Sequence, residues 1–283
     1  ALAEVVWSPQ VRRDWEDFQR RLQAHFKRLE ALKVNYARGS FAVEMKTEIV
    51  PKTYRVRVQL ESEQPHAEIR YTLDGSAPAM HSPLYRKPFV LDRTATVQAA
   101  VFVAGQMKEE AAQQEVLVHR GLGAKVSYAI APSTKYFGGG ESGLVNGLRG
   151  NLLALNETLW QGFEGDDAEA TLDLGKPSAV EKLSATFAQQ RAWWIFLPVS
   201  VEYALSRDGK NFETVAKIGH EISAEQEGAV IHAFDARLDA PRQCRYVRMT
   251  AKNMGVCPPG HPGAGGKAWV FVDEIVVESA SRR

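Results

Sequence analysis

The stretch His261-Pro-Gly-Ala-Gly-Gly-Lys-Ala-Trp-Val-Phe-Val-Asp-Glu-Ile-Val-Val277 joins a glycine-rich loop, an aromatic and an acidic pair. A loop aromatic can stack on a ring, and a carboxylate beside it can hold a cation. Leu144-Val-Asn-Gly-Leu-Arg-Gly150 and Trp160-Gln-Gly-Phe-Glu-Gly165 read as the other half of the same site. Together they point to a β-sandwich that binds a ligand at its loops rather than to one that performs a reaction. Nothing else in the sequence suggests a reaction centre: there is no phosphate loop after a strand, no Cys/His metal cluster and no nucleophile elbow.

Three groups of residues would contact the ligand. Trp160, Gln161, Phe163 and Glu164 fall in one segment, Arg191, Trp193 and Trp194 in a second, and His261 and Trp269 in a third. Sugars suit such a set, with an aromatic platform under the C–H face and a few polar groups on the hydroxyls. Neighbours on a strand point to opposite faces. Trp194 is therefore expected in the core and Trp193 nearer solvent.

The elements that carry these residues are mostly strands. Trp15, Phe18, Leu22, Phe26, Leu29 and Leu32 recur with helical period after a Ser8-Pro9 start, giving one amphipathic helix. Its apolar stripe calls for packing within the chain or on a preceding domain. Tyr54–Leu60, Glu68–Leu73, Thr94–Val103 and Gln114–Val118 read as strands of a small immunoglobulin-like sandwich. After a connector ending in Gly138-Gly-Gly140, the strands are Ala168–Leu174, Val180–Phe187, Ser200–Ser206, Ala229–Phe234, Tyr246–Ala251 and Val270–Val277. They suit a jelly roll.

With 283 residues the chain has room for two domains, and a net charge of +1 argues against a nucleic-acid or anionic-membrane partner. No apolar run is long enough to span a membrane. Two cysteines, Cys244 and Cys257, allow one disulfide, though two buried thiols fit better. The opening Ala1-Leu-Ala-Glu, without Met, reads as the middle of a longer protein.

Three sets of motifs extend this reading. Ala1–Ser8, Arg13-Asp-Trp-Glu-Asp-Phe18 and Leu32-Lys-Val-Asn-Tyr36 resemble the end of the catalytic barrel of glycoside hydrolase family 20 β-N-acetylhexosaminidases. Tyr71-Thr-Leu-Asp-Gly-Ser-Ala-Pro78 with Ser82-Pro-Leu-Tyr85 resembles the chitobiase/β-hexosaminidase C-terminal domain. Asp173-Leu-Gly175, Val201-Glu-Tyr203, Ser206-Arg-Asp-Gly209 and Tyr246-Val-Arg248 resemble the discoidin (F5/8 type C) fold, shared with family 32 carbohydrate-binding modules.

The resemblance implies a mainly β chain with four parts. Residues 1–40 would be the last helix of a missing (β/α)8 barrel and 41–120 an immunoglobulin-like domain. Residues 121–137 would be a linker, and 138–283 a discoidin-type, galactose-binding-like jelly roll. This order is found in large bacterial exo-hexosaminidases, notably of Bacteroidetes. It implies export to the periplasm or cell surface, with glycans carrying N-acetylhexosamine and the upstream barrel as partners.

Family 20 enzymes use an adjacent Asp-Glu pair deep in the barrel, assisted by the substrate acetamido group. That pair would lie upstream of Ala1. Asp166-Asp167 and Asp273-Glu274 stand in the wrong context, so the chain is expected to be catalytically inert. The resemblance also implies a structural calcium, with Asn146 and Glu274 at the matching positions and Asn151 as a third ligand. Asn146 stands where the family has Asp. The competing reading is a turn Asn and a strand Glu paired with Arg149.

Overall fold

The computed structural model describes residues 6, 9–34, 41–64, 67–150 and 159–279. The chain divides into two compact units. The first comprises residues 1–46, 59–88 and 96–113, and the second 47–58, 89–95 and 114–283.

The first unit holds helix α1 (Trp15–Ala31). It begins later than the Ser8-Pro9 signal predicts. Asp14 caps it instead, its Oδ1 accepting the Asp17 N–H at 3.0 Å. Ser8 lies outside the described residues. Phe18, Leu22, Phe26 and Leu29 form its half-buried stripe. Strand β1 (Val43–Val50) begins in this unit, and β2 (Arg55–Ser62) ends in it. Strands β3 (Glu68–Thr72) and β5 (Ala95–Val103) pair antiparallel, Glu68 opposite Phe102, with β6 (Gln106–Met107) beyond and β7 (Ala112–Val116) also on β5. The Asp-Gly turn after β3 forms as read: Asp74 Oδ1 accepts the Ser76 N–H and hydroxyl, and Gly75 takes φ 77°. In β2, Val56, Val58 and Leu60 are buried between exposed Arg55, Arg57 and Gln59, and β4 (Phe89–Leu91) lies beside it.

In the second unit one sheet runs β12-β11-β13-β10-β14-β9, with β8 (Lys125–Tyr128) also on β10. These strands are β9 (Gln161–Glu164), β10 (Ala168–Gln190), β11 (Ser200–Ser206), β12 (Glu213–Ile218), β13 (Ala229–Lys252) and β14 (Trp269–Ser279). Two of them are far longer than the sequence pattern suggests. The start of β10 pairs with the end of β13 (Ala168 opposite Ala251), and its end with the start of β13 (Gln190 opposite Ala229). The register breaks between Asp173 and Ser178, where Gly175 has φ 76° and Pro177 follows. A single pair of strands thus turns the corner of the jelly roll.

The core lies between the two limbs. Phe187 and Phe234 meet edge to face at 5.4 Å. Tyr203 is fully buried, and its hydroxyl donates to the Phe234 carbonyl at 2.7 Å. Cys244 and Cys257 are buried free thiols. Among the described residues no helix is long and apolar enough to cross a membrane.

Tyr54, in the turn between β1 and β2, lies between two cations of this unit, Arg120 at 5.0 Å and Lys176 at 5.5 Å from the ring centre. Phe187→Ala empties the middle of the core and is expected to cost about 3–5 kcal/mol, read as a lowered midpoint in urea unfolding.

Candidate functional site

One end of the jelly roll is built by three connections: residues 191–199 after β10, 219–228 before β13, and 253–268 before β14. Arg191–Trp193 form one 3-10 turn. Trp194 ends it in the left-handed region, at φ 65° and ψ 18°, where a bulky side chain pays a strain of about 1–3 kcal/mol. Its N–H donates to the Arg191 carbonyl, and its own carbonyl accepts the Trp269 N–H at 2.9 Å.

The glycine-rich loop explains how Trp194 is held. A Cβ on Gly263 would sit 2.3 Å from the Trp194 ring, and one on Gly266 2.6 Å from it. These positions are glycine because the indole lies against the loop backbone.

His261 fixes the same loop from beneath. It is buried, with Nδ1 accepting the Gly263 N–H at 2.9 Å. Its proton therefore sits on Nε2, which donates to the Arg191 carbonyl at 2.9 Å. The ring stands edge-on to Trp194 and Phe196.

Between these elements opens a cleft of about 400 Å³ lined by Gln190, Arg191, Trp194, Glu227, His261 and Pro262. Arg191 Nη2 donates to the Gly260 carbonyl at 3.2 Å, while its buried Nε has no partner among the described residues. An aromatic surface, a guanidinium, a carboxylate and an amide thus share one concavity of ligand size.

Several expected contacts are corrected. Trp160, Gln161 and Phe163 are buried and cannot reach a ligand. Trp160 packs with Ala188, Ile195 and Phe271, and Gly150 is glycine because a Cβ would lie 2.3 Å from the Trp160 indole. Gln161 spends its amide inside, donating to the Gly140 carbonyl and accepting from the Tyr128 hydroxyl at 2.8 Å. Phe163 belongs to the main core. The segment is strand β9, paired with β14 and turned inward, so burying its apolar surface decides its direction.

Glu164 is exposed, opposite Trp269 in register. Trp269 is half-buried, edge-on to Tyr136 at 5.1 Å. Arg191 and His261 do reach the cleft. Trp194 is 39% exposed, not in the core, because it occupies a turn and strand alternation does not apply; Trp193 is 53% exposed. Sequence reasoning missed Gln190, Glu227 and Pro262, which no local pattern marks. The spacing of Gly263 and Gly266 was the available signal for Trp194.

The acidic pair plays a different part. Ala185 faces Ile275 and Phe187 faces Val272, so Asp273 and Glu274 together oppose Thr186. This bulge sets two adjacent side chains against one residue of β10, and both are buried. Asp273 accepts the Gly150 N–H at 2.9 Å and Arg149 Nη1 at 3.3 Å. Glu274 accepts the N–H groups of Gly147 at 3.0 Å and Asn146 at 3.2 Å, and His119 Nε2 at 2.8 Å. His119 Nδ1 in turn accepts the Gly121 and Val277 N–H groups.

Burial pushes Asp273 up to about 7 and Glu274 upward, against the pull of Arg149 and the N–H donors. It pushes His119 down to about 3. Arg149 pairs with Asp273 and Glu115 rather than with Glu274.

The donors gathered on Glu274 are N–H groups, the opposite polarity to the six to eight oxygens that calcium takes. Asn146 Oδ1 already accepts the Leu148 N–H at 2.8 Å. Asn151 lies outside the described residues. Among the described residues no three His, Cys, Asp or Glu side chains converge. The groups present therefore fit a carboxylate held by the protein and do not fit a cation.

Glu274→Ala strips these donors of their acceptor and is expected to cost about 3–5 kcal/mol in urea unfolding, while a chelator leaves the wild-type midpoint unchanged. Gly263→Ala is expected to displace Trp194, changing the near-ultraviolet circular dichroism with a stability loss below about 2 kcal/mol.

The family model described as chitobiase/beta-hexosaminidase C-terminal domain matches residues 50–114. The F5/8 type C domain model matches residues 129–272. No curated protein matches the chain. Similar solved structures include SpGH29, at 15% identity and TM-score 0.37, covering 57% of this chain, which spans 28% of that one. The Clostridium perfringens module CpGH89CBM32-5, in complex with GalNAc-beta-1,3-galactose, is 15% identical, with 55% of this chain and 94% of that one covered and TM-score 0.34. A fucolectin from striped bass (Morone saxatilis) serum is 16% identical, with 57% and 48% covered and TM-score 0.38. The jelly roll, its corner-turning strands and the match across half of the sequence place the chain in the F5/8 type C domain family.

Proposed function

We propose that the second unit binds a glycan, stacking the C–H face of a pyranose on Trp194 within the cleft. The observation that carries this reading is the Trp194 indole, half exposed yet fixed against Gly263 and Gly266. A platform ordered before binding avoids the entropy cost of immobilising it. Arg191 and Gln190 would donate to ring hydroxyls, and Glu227 would accept from them.

The order of domains supports a wider reading. A chitobiase/β-hexosaminidase C-terminal domain followed by an F5/8 type C domain suits the C-terminal part of an exo-β-N-acetylhexosaminidase. The parent would act on terminal N-acetylhexosamine, be exported to the periplasm or cell surface, and keep its catalytic barrel upstream. The described residues are read as non-catalytic. Asp273 and Glu274 are sealed from solvent, and Asp167 is engaged by the Asn253 N–H and Lys252.

Calorimetric titration with N-acetylglucosamine, N-acetylgalactosamine and galactose tests the binding. At least one is expected to bind, and Trp194→Ala to weaken it more than about tenfold, or 1.4 kcal/mol. No binding by any of the three, or full affinity in Trp194→Ala, overturns the glycan reading. A chromogenic N-acetylglucosaminide is expected to stay intact with this chain alone; turnover would refute its inertness.

A further inference from the structure

Two of the loops that wall the cleft are locked by the same local device. His261 Nδ1 accepts the N–H of Gly263, two residues on. His220 Nδ1 accepts the N–H of Ile222, again two residues on, at 3.0 Å. His220 opens the connection 219–228 that brings Glu227 and Gly228 to the cleft. A second tie holds that connection to β10, where Gln189 Nε2 donates to the Ser223 carbonyl at 2.8 Å.

A ring whose Nδ1 accepts an N–H is neutral, with its one proton on Nε2. In His261 that proton is committed to the Arg191 carbonyl. A second proton on either ring would set a donor against a donor and break the turn.

We propose that the cleft is pH-gated at one wall: neutral His220 holds the 219–228 connection in place, and protonation at its Nδ1 releases it. As regulation of a ligand site, this rests on the glycan reading of the cleft. The surroundings act in the same direction. His220 faces His232 at 6.0 Å between ring centres and stands edge-on to Phe234. Burial and His232 hold it below the ordinary histidine range, against Glu221 beside it and the Pro198 carbonyl.

The sign follows from proton linkage. A histidine held neutral in the fold binds a proton more readily once released, so acid favours the released state. The His220 lock is complete at neutral and alkaline pH and fails as pH falls.

Hydrogen exchange on the ligand-free protein, corrected for intrinsic rates, reads the gate. The Ile222 amide is expected to lose at least about tenfold in protection between about pH 7.5 and about pH 5, while β10 and β13 amides keep theirs. Asn accepts an N–H two residues on through its side-chain oxygen but does not titrate. In His220→Asn the Ile222 amide is expected to become insensitive to pH, with unchanged β10 and β13 protection as the control for misfolding. Flat protection in the wild type, a uniform loss across the sheet, or an unchanged response in His220→Asn overturns the proposal. No sugar enters the measurement, so failure of the gate and failure of the glycan reading are distinguishable.

Discussion

Two carboxylates taken out of water on consecutive residues are the constraint around which the end of the second unit is organised. A buried carboxylate is tolerable only with donors around it, and Asp273 and Glu274 obtain theirs from segments remote in sequence. The 146–150 turn must present three N–H groups, Arg149 must reach inward and His119 must keep one tautomer. The bulge in β14 is the geometric condition for all of this, since a regular strand would send one of the two acids to the opposite face. The pair therefore acts as a clasp joining β14 to the turn and to the segment after β7 that carries His119.

The cleft is ordered by other means. Its walls are loops tied to one another, as His261 is to Arg191, and further fixed by small devices: a tryptophan in a strained turn, two glycines that leave room for its ring, and histidines that close turns with a ring nitrogen. The stacking surface is fixed because the ring lies against the loop backbone, with polar side chains around it. Such a division suits ligands that offer one flat apolar face and a variable set of hydroxyls.

The β character, the order of the two modules and most strands were legible from alternation and turn residues. Strands β1, β4, β6, β8, β9 and β12 were not; β4, β6, β8 and β9 are two to four residues long and carry too little pattern. The strands β10 and β13 were each read in pieces because Gly175-Lys-Pro177 and Asp239-Ala-Pro241 look like terminators, whereas they are the bends of continuous strands. In the site, His261 and Arg191 were found because a polar residue in a glycine-rich or aromatic context is conspicuous. Trp160 and Phe163 misled because an aromatic between glycines looks like a loop, while pairing with β14 decides its burial. Glu227 and Gln190 could not be found, because only the fold brings them to the cleft.

The division of the chain into units has a practical meaning for anyone cutting it. The second unit does not start where its family match starts; it includes residues 47–58 and 89–95, from far earlier in the sequence. Val56 is buried there, in contact range of Gly147, and Tyr54 is gripped by Arg120 and Lys176. An expression boundary placed between the two family matches would therefore strip the second unit of a hairpin tip it uses as part of its own wall. The smallest piece that retains a complete second unit begins ahead of β1, so the two modules are best handled as a single purification target.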